Sequence, residues 1–181
     1  MTVRRHTARL GALATAGLLA ATTITALTGP AAHAAKPKAR PATGAVSFAC
    51  VLAPLGTAYT YDAKVSITGK RAKPKAAVAA LAGTMSDIPA ISPVPITGPM
   101  DVTLKVTIGG KATTLKGSIE QDVAAKATIP MPKLTGKVKV AKKAKTLPVV
   151  VTGMSFELPS YSFSSTCAPA APTKLSKLKL G

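Results

Sequence analysis

The chain contains no asparagine and no tryptophan, and aromatic residues make up only 3% of its 181 positions. Without Asn there is no N-x-Ser/Thr acceptor for glycosylation. Without Trp, and with so few Tyr and Phe, neither a base-stacking platform nor the Cys…Trp…Cys core of an antibody domain can be built. Acids are scarce as well, 6 Asp plus Glu against 24 Lys plus Arg, for a formal charge of +18. Histidine occurs only at His6 and His33, and cysteine only at Cys50 and Cys167.

Both histidines fall in a segment that reads as an address. Met1 to Arg9 carries Arg4, Arg5 and Arg9 with no acid, Leu10 to Leu27 is uncharged, Gly29-Pro30 breaks a helix, and Ala32-His33-Ala34 has the A-x-A form of a cleavage site. The expectation is a signal peptide over 1–34, removed after Ala34. The alternative is an uncleaved anchor, but several Thr and Gly make the stretch weakly apolar for a span of about 20 residues. Thr7 and Ala8 follow Arg4-Arg5 where a twin-arginine signal wants bulky apolar residues, which favours general secretion. Cleavage removes three arginines and leaves 21 basic residues against 6 acids, +15 on 147 residues, with no transmembrane segment.

A chain without histidine has no imidazole base, so Ser-His-Asp and Cys-His catalysis are closed to it. Two distant cysteines cannot form a four-thiolate zinc site, and no G-x-G-x-x-G or Walker glycine pattern appears. Ser176-x-x-Lys179 matches a penicillin-recognising motif only formally, since its partner motifs are missing. Among the acids, Glu120 and Asp122 share strand parity and could approach as a carboxylate pair. The plainer reading is a solvated strand end beside lysines, and two acids fall short of a calcium site. The sequence assigns no catalytic residue, no metal ligand and no cofactor, and the chain reads as a non-enzyme.

What the sequence does have is period two. Tyr59, Tyr61, Ala63, Val65 and Ile67 alternate with Thr60, Asp62, Lys64 and Ser66, as on a half-buried strand. Val102, Leu104, Val106 and Ile108 repeat the pattern, Gly109-Gly110 supplies a tight hairpin turn, and Leu115 and Ile119 mark the return. Val138 and Val140 alternate with lysines, Leu147 to Met154 is nearly all apolar, and Tyr161 and Phe163 alternate with serines. Prolines punctuate these runs, as expected of many short strands. Pro74 to Gly83 is the one helical candidate, from its alanines and its terminal Pro and Gly, with an extended reading open. The fold class expected is all-β: an immunoglobulin-like antiparallel β-sandwich over 44–167, with a flexible basic arm at 35–43 and a flexible Lys-rich tail at 168–181.

Cys50 shares parity with Val46 and Phe48, and Cys167 with Tyr161 and Phe163, so both thiols point to the apolar side. In an oxidising compartment they form a disulfide between the first and last strands, the alternative being a free thiol. Phe48-Ala49-Cys50 on an early strand, Pro-rich middle strands and the closing Tyr161-Ser162-Phe163…Cys167 resemble a secreted actinobacterial family of unknown function. That resemblance implies an immunoglobulin-like sandwich and a secreted location, and no activity.

Charge is the remaining unusual property. The cations cluster at Lys36, Lys38 and Arg40; at Lys70, Arg71, Lys73 and Lys75; at Lys137, Lys139, Lys142, Lys143 and Lys145; and at Lys174, Lys177 and Lys179. Nearly all are lysines, hydrated point charges without the bidentate fork of arginine. With few aromatics between them they do not point to nucleic acid. Anionic cell-wall polymers fit better, with Lys137, Lys139, Lys142, Lys143 and Lys145 as the binding residues of a secreted protein, extracellular or loosely held on the wall. The plainer reading is that the lysines serve solubility. Two other readings stand beside these: a carrier of a small apolar or lipid-like ligand between the sheets, and a membrane-active Lys-Leu tail.

Overall fold

A computed structural model describes residues 38–89 and 92–181, so the expected signal peptide and Lys36 lie outside the described residues. Within them, alternation decides the architecture. The principal strands are β1 (Ala42–Ala53), β2 (Thr57–Arg71), β3 (Val78–Met85), β4 (Ile96–Ile108), β5 (Lys111–Val123) and β6 (Leu134–Lys139). After the two-residue β7 (Thr146–Leu147) come β8 (Val149–Leu158) and β9 (Phe163–Pro169), then two short pieces, β10 (Thr173–Lys174) and β11 (Leu178–Lys179).

Every pairing is antiparallel. The ladder runs β1-β2-β3-β6-β5-β4-β8-β9 and returns to β1, because β9 pairs with β8 on one side and β1 on the other. The result is a closed, sandwich-like shell that leaves few backbone groups at open edges. An immunoglobulin domain has two sheets with separate edges. One continuous ring takes their place here, so the all-β antiparallel expectation holds while the immunoglobulin strand order is not the one observed.

The inward positions are those the alternation selects. Tyr61, Ala63, Val65 and Ile67 on β2, and Val102, Leu104, Val106 and Ile108 on β4, are all buried, with Phe48, Leu115, Leu134 and Met154 among them. Gly109 and Gly110 take φ of 57° and 77°, the two positive values a tight hairpin turn requires. Leu147 to Met154 is split by Pro148 into β7 and β8. β8 pairs with β4, β9 and β10 and carries a register shift opposite Lys105 and Val106, which accounts for its near-continuous apolar run. Tyr161 ends a 3-10 turn at Pro159–Tyr161 rather than starting a strand, and Phe163 opens β9.

Cys50 and Cys167 face each other across β1 and β9 and are disulfide-bonded, as their shared parity requires.

Three expectations are corrected. The helical candidate at 74–83 is a turn followed by β3. Ala79, Leu81, Gly83 and Met85 face inward, while Val78, Ala80, Ala82 and Thr84 face out. Alanine's helix propensity is a weak prior, and pairing on both sides with β2 and β6 outweighs it. The arm at 35–43 is not free at its inner end: β1 starts at Ala42, and Arg40 bridges Lys179.

The tail at 168–181 is the third, since it is built into the fold. β10 continues along β8 where β9 leaves off, and the chain then crosses one end of the shell to pair β11 with β7. Leu175, Leu178 and Leu180 are buried while Lys174 and Lys177 point outward. The alternation in this segment is that of a strand packing its leucines. Gly69 makes the seat, for a Cβ there would lie 2.7 Å from Leu180 Cδ2 and 3.1 Å from Leu178 Cδ2.

Buried Tyr61 and half-buried Tyr59 mark the inner layer. Tyr61 stacks on Phe48 and donates its hydroxyl to the Ser86 carbonyl, and the Tyr59 hydroxyl pairs with Ser165 Oγ at 2.8 Å. Burial pushes the Tyr61 hydroxyl up to about 12. A group whose folded pKa is raised contributes stability in full below its unfolded pKa, near 10 for tyrosine, and loses it as pH rises through the folded value. The wild type should therefore lose stability between pH 10 and pH 12 more steeply than Tyr61→Phe. Urea midpoints at pH 9 and pH 11.5 for both proteins test this, and parallel losses would refute it.

Candidate functional site

Antiparallel pairing fixes which loops share an end of the shell. The start of β1, the β2–β3 turn, the β4–β5 hairpin, the segment from β6 to β8 and the residues after β9 all lie at one end. That end gathers Arg40, the 70–75 cluster, Lys139 to Lys145, Lys111 and the 174–179 cluster. Clusters more than 100 residues apart in sequence thus become one surface. No acid joins them. Asp62 and Asp101 sit near the middle of their strands, and Asp87, Glu120, Asp122 and Glu157 lie toward the opposite end. The charge is polarised along the shell, which concentrates a positive field at one end.

Each predicted binding lysine can be placed. Lys137 and Lys139 project outward from β6, while Lys142, Lys143 and Lys145 are exposed on the loop that follows, between buried Val140 and buried Leu147. The structure brings all five to the basic end or its margin, beside Lys70, Lys73 and Lys75.

Arg71 holds this arrangement together. One terminal nitrogen donates to the carbonyls of Ala76 (2.5 Å) and Lys142 (3.1 Å), and the other to those of Ala141 (2.8 Å) and Ala144 (2.7 Å). Its backbone N–H also donates to the Gly181 carbonyl at 3.1 Å. The fork thus ties the β2–β3 turn to the lysine loop with charge-assisted bonds, and all its acceptors are neutral carbonyls. Sequence reading counted Arg71 as one more cation. Its signal was that it stands alone as arginine in a lysine-rich segment, where rigid fork geometry distinguishes it from its neighbours.

The acids form no comparable centre. Glu120 and Asp122 lie on the exposed face of β5, opposite Pro99 and Thr97. Asp101 and Glu157, which sequence did not link, are direct cross-strand partners on β4 and β8 and border an open hollow with Ser118 and Ser155. Like charges so placed oppose each other. Among the described residues, no group of three or more His, Cys, Asp or Glu is arranged to hold a metal ion.

A second hollow lies on the outer face of β2 and β3, lined by Thr68, Gly69, Lys70, Ala80, Leu81 and Ala82 and closed at the basic end by Ala39 and Gly181. Both hollows open outward. The inward positions are filled by side chains such as Phe48, Tyr61, Met100, Leu104, Leu115 and Met154. One buried polar atom, Gln121 Oε1, lacks a partner, while Gln121 Nε2 donates to the Pro130 carbonyl at 2.9 Å.

No helix among the described residues is long and apolar enough to cross a membrane. No family model, curated protein or solved structure matches the chain.

Proposed function

We propose that the protein is a secreted, non-enzymatic module that associates with anionic polymers of the cell envelope through the basic end of its shell. The observation that carries this reading is the convergence of sequence-distant lysine clusters on one end with every acid elsewhere. Lysines kept for solubility alone would be spread over the shell, as Lys64, Lys105, Lys116, Lys126 and Lys133 are, with no reason to gather in clusters at one end. The leader-like segment 1–34, the cysteine pair and the resemblance to a secreted actinobacterial family support the location. The shell serves as a rigid platform, and the Arg71-tied loop presents Lys142, Lys143 and Lys145 from a fixed backbone.

Contacts between exposed charges are screened over about 8 Å at physiological salt. Binding to purified cell wall should therefore fall steeply across a salt series. Exposed charge pairs contribute about 0.2–1 kcal/mol each. Changing Lys139, Lys142, Lys143 and Lys145 to Ser should thus weaken binding by about fourfold to several hundredfold. The same variant should keep its thermal midpoint within a few degrees, since all four side chains are exposed. No wall binding at low salt, or binding that high salt leaves unchanged, would defeat the electrostatic reading.

A further inference from the structure

The outer face of β3 carries Val78, Ala80, Ala82 and Thr84, with the two alanines at its middle. Ala80 and Ala82 point outward from β3. They are flanked by outward-facing Thr68 and Lys70 on β2, and by Lys137 and Lys139 on β6. Register puts Lys70, Ala80 and Lys137 in one row across the three strands, with Thr68, Ala82 and Thr135 in the row on one side and Val78 beside Lys139 in the row on the other. Two strand spacings separate the walls, about 10 Å, and β3 gives the trough a length of about 20 Å. Its floor is alkyl, and its walls carry Lys70, Lys137 and Lys139 together with Thr68 and Thr135, with no acid on either wall over this span.

We propose that this trough docks a single extended chain of a polyol phosphate, a linear phosphodiester polymer. The inference rests on the polyanion reading above and names its ligand and seat. Charge complementarity selects a polyanion, and shape selects among polyanions. A floor of methyl groups offers no aromatic ring on which a pyranose could stack, whereas an unbranched polyol chain lays CH₂ groups on alanine without strain. Repeat length agrees. A three-carbon polyol phosphodiester repeats every six backbone bonds, about 7 Å when extended. Lys137 and Lys139, two residues apart on one strand face, are separated by about 6.7 Å. Successive phosphates can therefore meet Lys137 and Lys139 while the alkyl segment between them lies on Ala80 and Val78, and the chain runs on over Ala82 between Thr68 and Thr135.

The test fills the floor without changing the charge. Ala80→Phe and Ala82→Phe place a ring in the trough at exposed strand positions, where aromatic residues are well tolerated. Ala49→Phe, at an exposed position on β1 between β2 and β9 and away from the trough, is the control. With poly(glycerol phosphate) as the probe, the two trough variants should bind about tenfold more weakly than wild type, because a built-in clash discriminates without any loss of charge. Ala49→Phe should bind as wild type, and all three should keep the wild-type circular dichroism. Wild-type affinity in both trough variants would overturn the docking site while leaving the electrostatic reading in place. A wild type that fails to bind poly(glycerol phosphate) at low salt but binds polygalacturonate would overturn the phosphodiester assignment alone. Failure to bind either polymer would remove the polyanion reading itself, and the trough proposal with it.

Discussion

Replacing Cys50 and Cys167 together with alanine is expected to lower stability by about 4–5 kcal/mol. The two residues are 117 apart in sequence. On the chain-entropy account, a cross-link closing so long a loop removes more freedom from the unfolded chain than a short one does. The position adds to this. Cys167 lies on β9, whose pairing to both β8 and β1 closes the ring. Both residues are almost fully buried, so alanine is a better replacement than serine, which would bury an unpartnered hydroxyl. Urea titrations of the oxidised wild type and the double variant read the difference directly. Thiol titration of the denatured, unreduced wild type should find no free cysteine. Equal midpoints for the two proteins would show that the link contributes nothing and that strand pairing alone holds the ring.

Much of this fold was legible because alternation is a local signal. The faces of β2 and β4, the Gly109-Gly110 turn and the cysteine parity each depend on residues a few positions apart. Ring closure was not legible. It requires β9 to accept partners on both sides, and nothing in Phe163 to Pro169 states which strands those are. That 74–83 read as a helical candidate, with an extended form left open, has the same cause. Alanine favours helix in isolation, yet here it is the residue small enough to leave β3 open between lysine-bearing neighbours. The basic surface was half legible. Sequence listed the clusters correctly, but their convergence is a product of strand direction, and the tie between two of them runs through one guanidinium reaching carbonyls about 70 residues away.

Leu178→Ala should cost about 2–5 kcal/mol, the range for emptying a fully buried leucine site. Leu178 is completely shielded from solvent, in a segment whose lysines made it read as a free tail. Its side chain lies against Gly69, and its backbone pairs with Leu147 on β7. On either side, Leu175 N–H donates to the Val149 carbonyl and Leu180 N–H to the Lys145 carbonyl, at 2.9 and 3.0 Å. Loosening this segment therefore loosens the lysine loop at Lys145, so the same variant should expose that loop to trypsin at Lys142 and Lys143. Lys177→Ser, one position away but facing solvent, should change stability by no more than about 0.5 kcal/mol. The contrast between these neighbours separates the two descriptions of the segment. A flexible tail predicts that neither substitution matters, and a packed strap predicts that only the leucine does. Equal chemical midpoints for wild type, Leu178→Ala and Lys177→Ser would return the segment to a tail and leave the basic end without its floor.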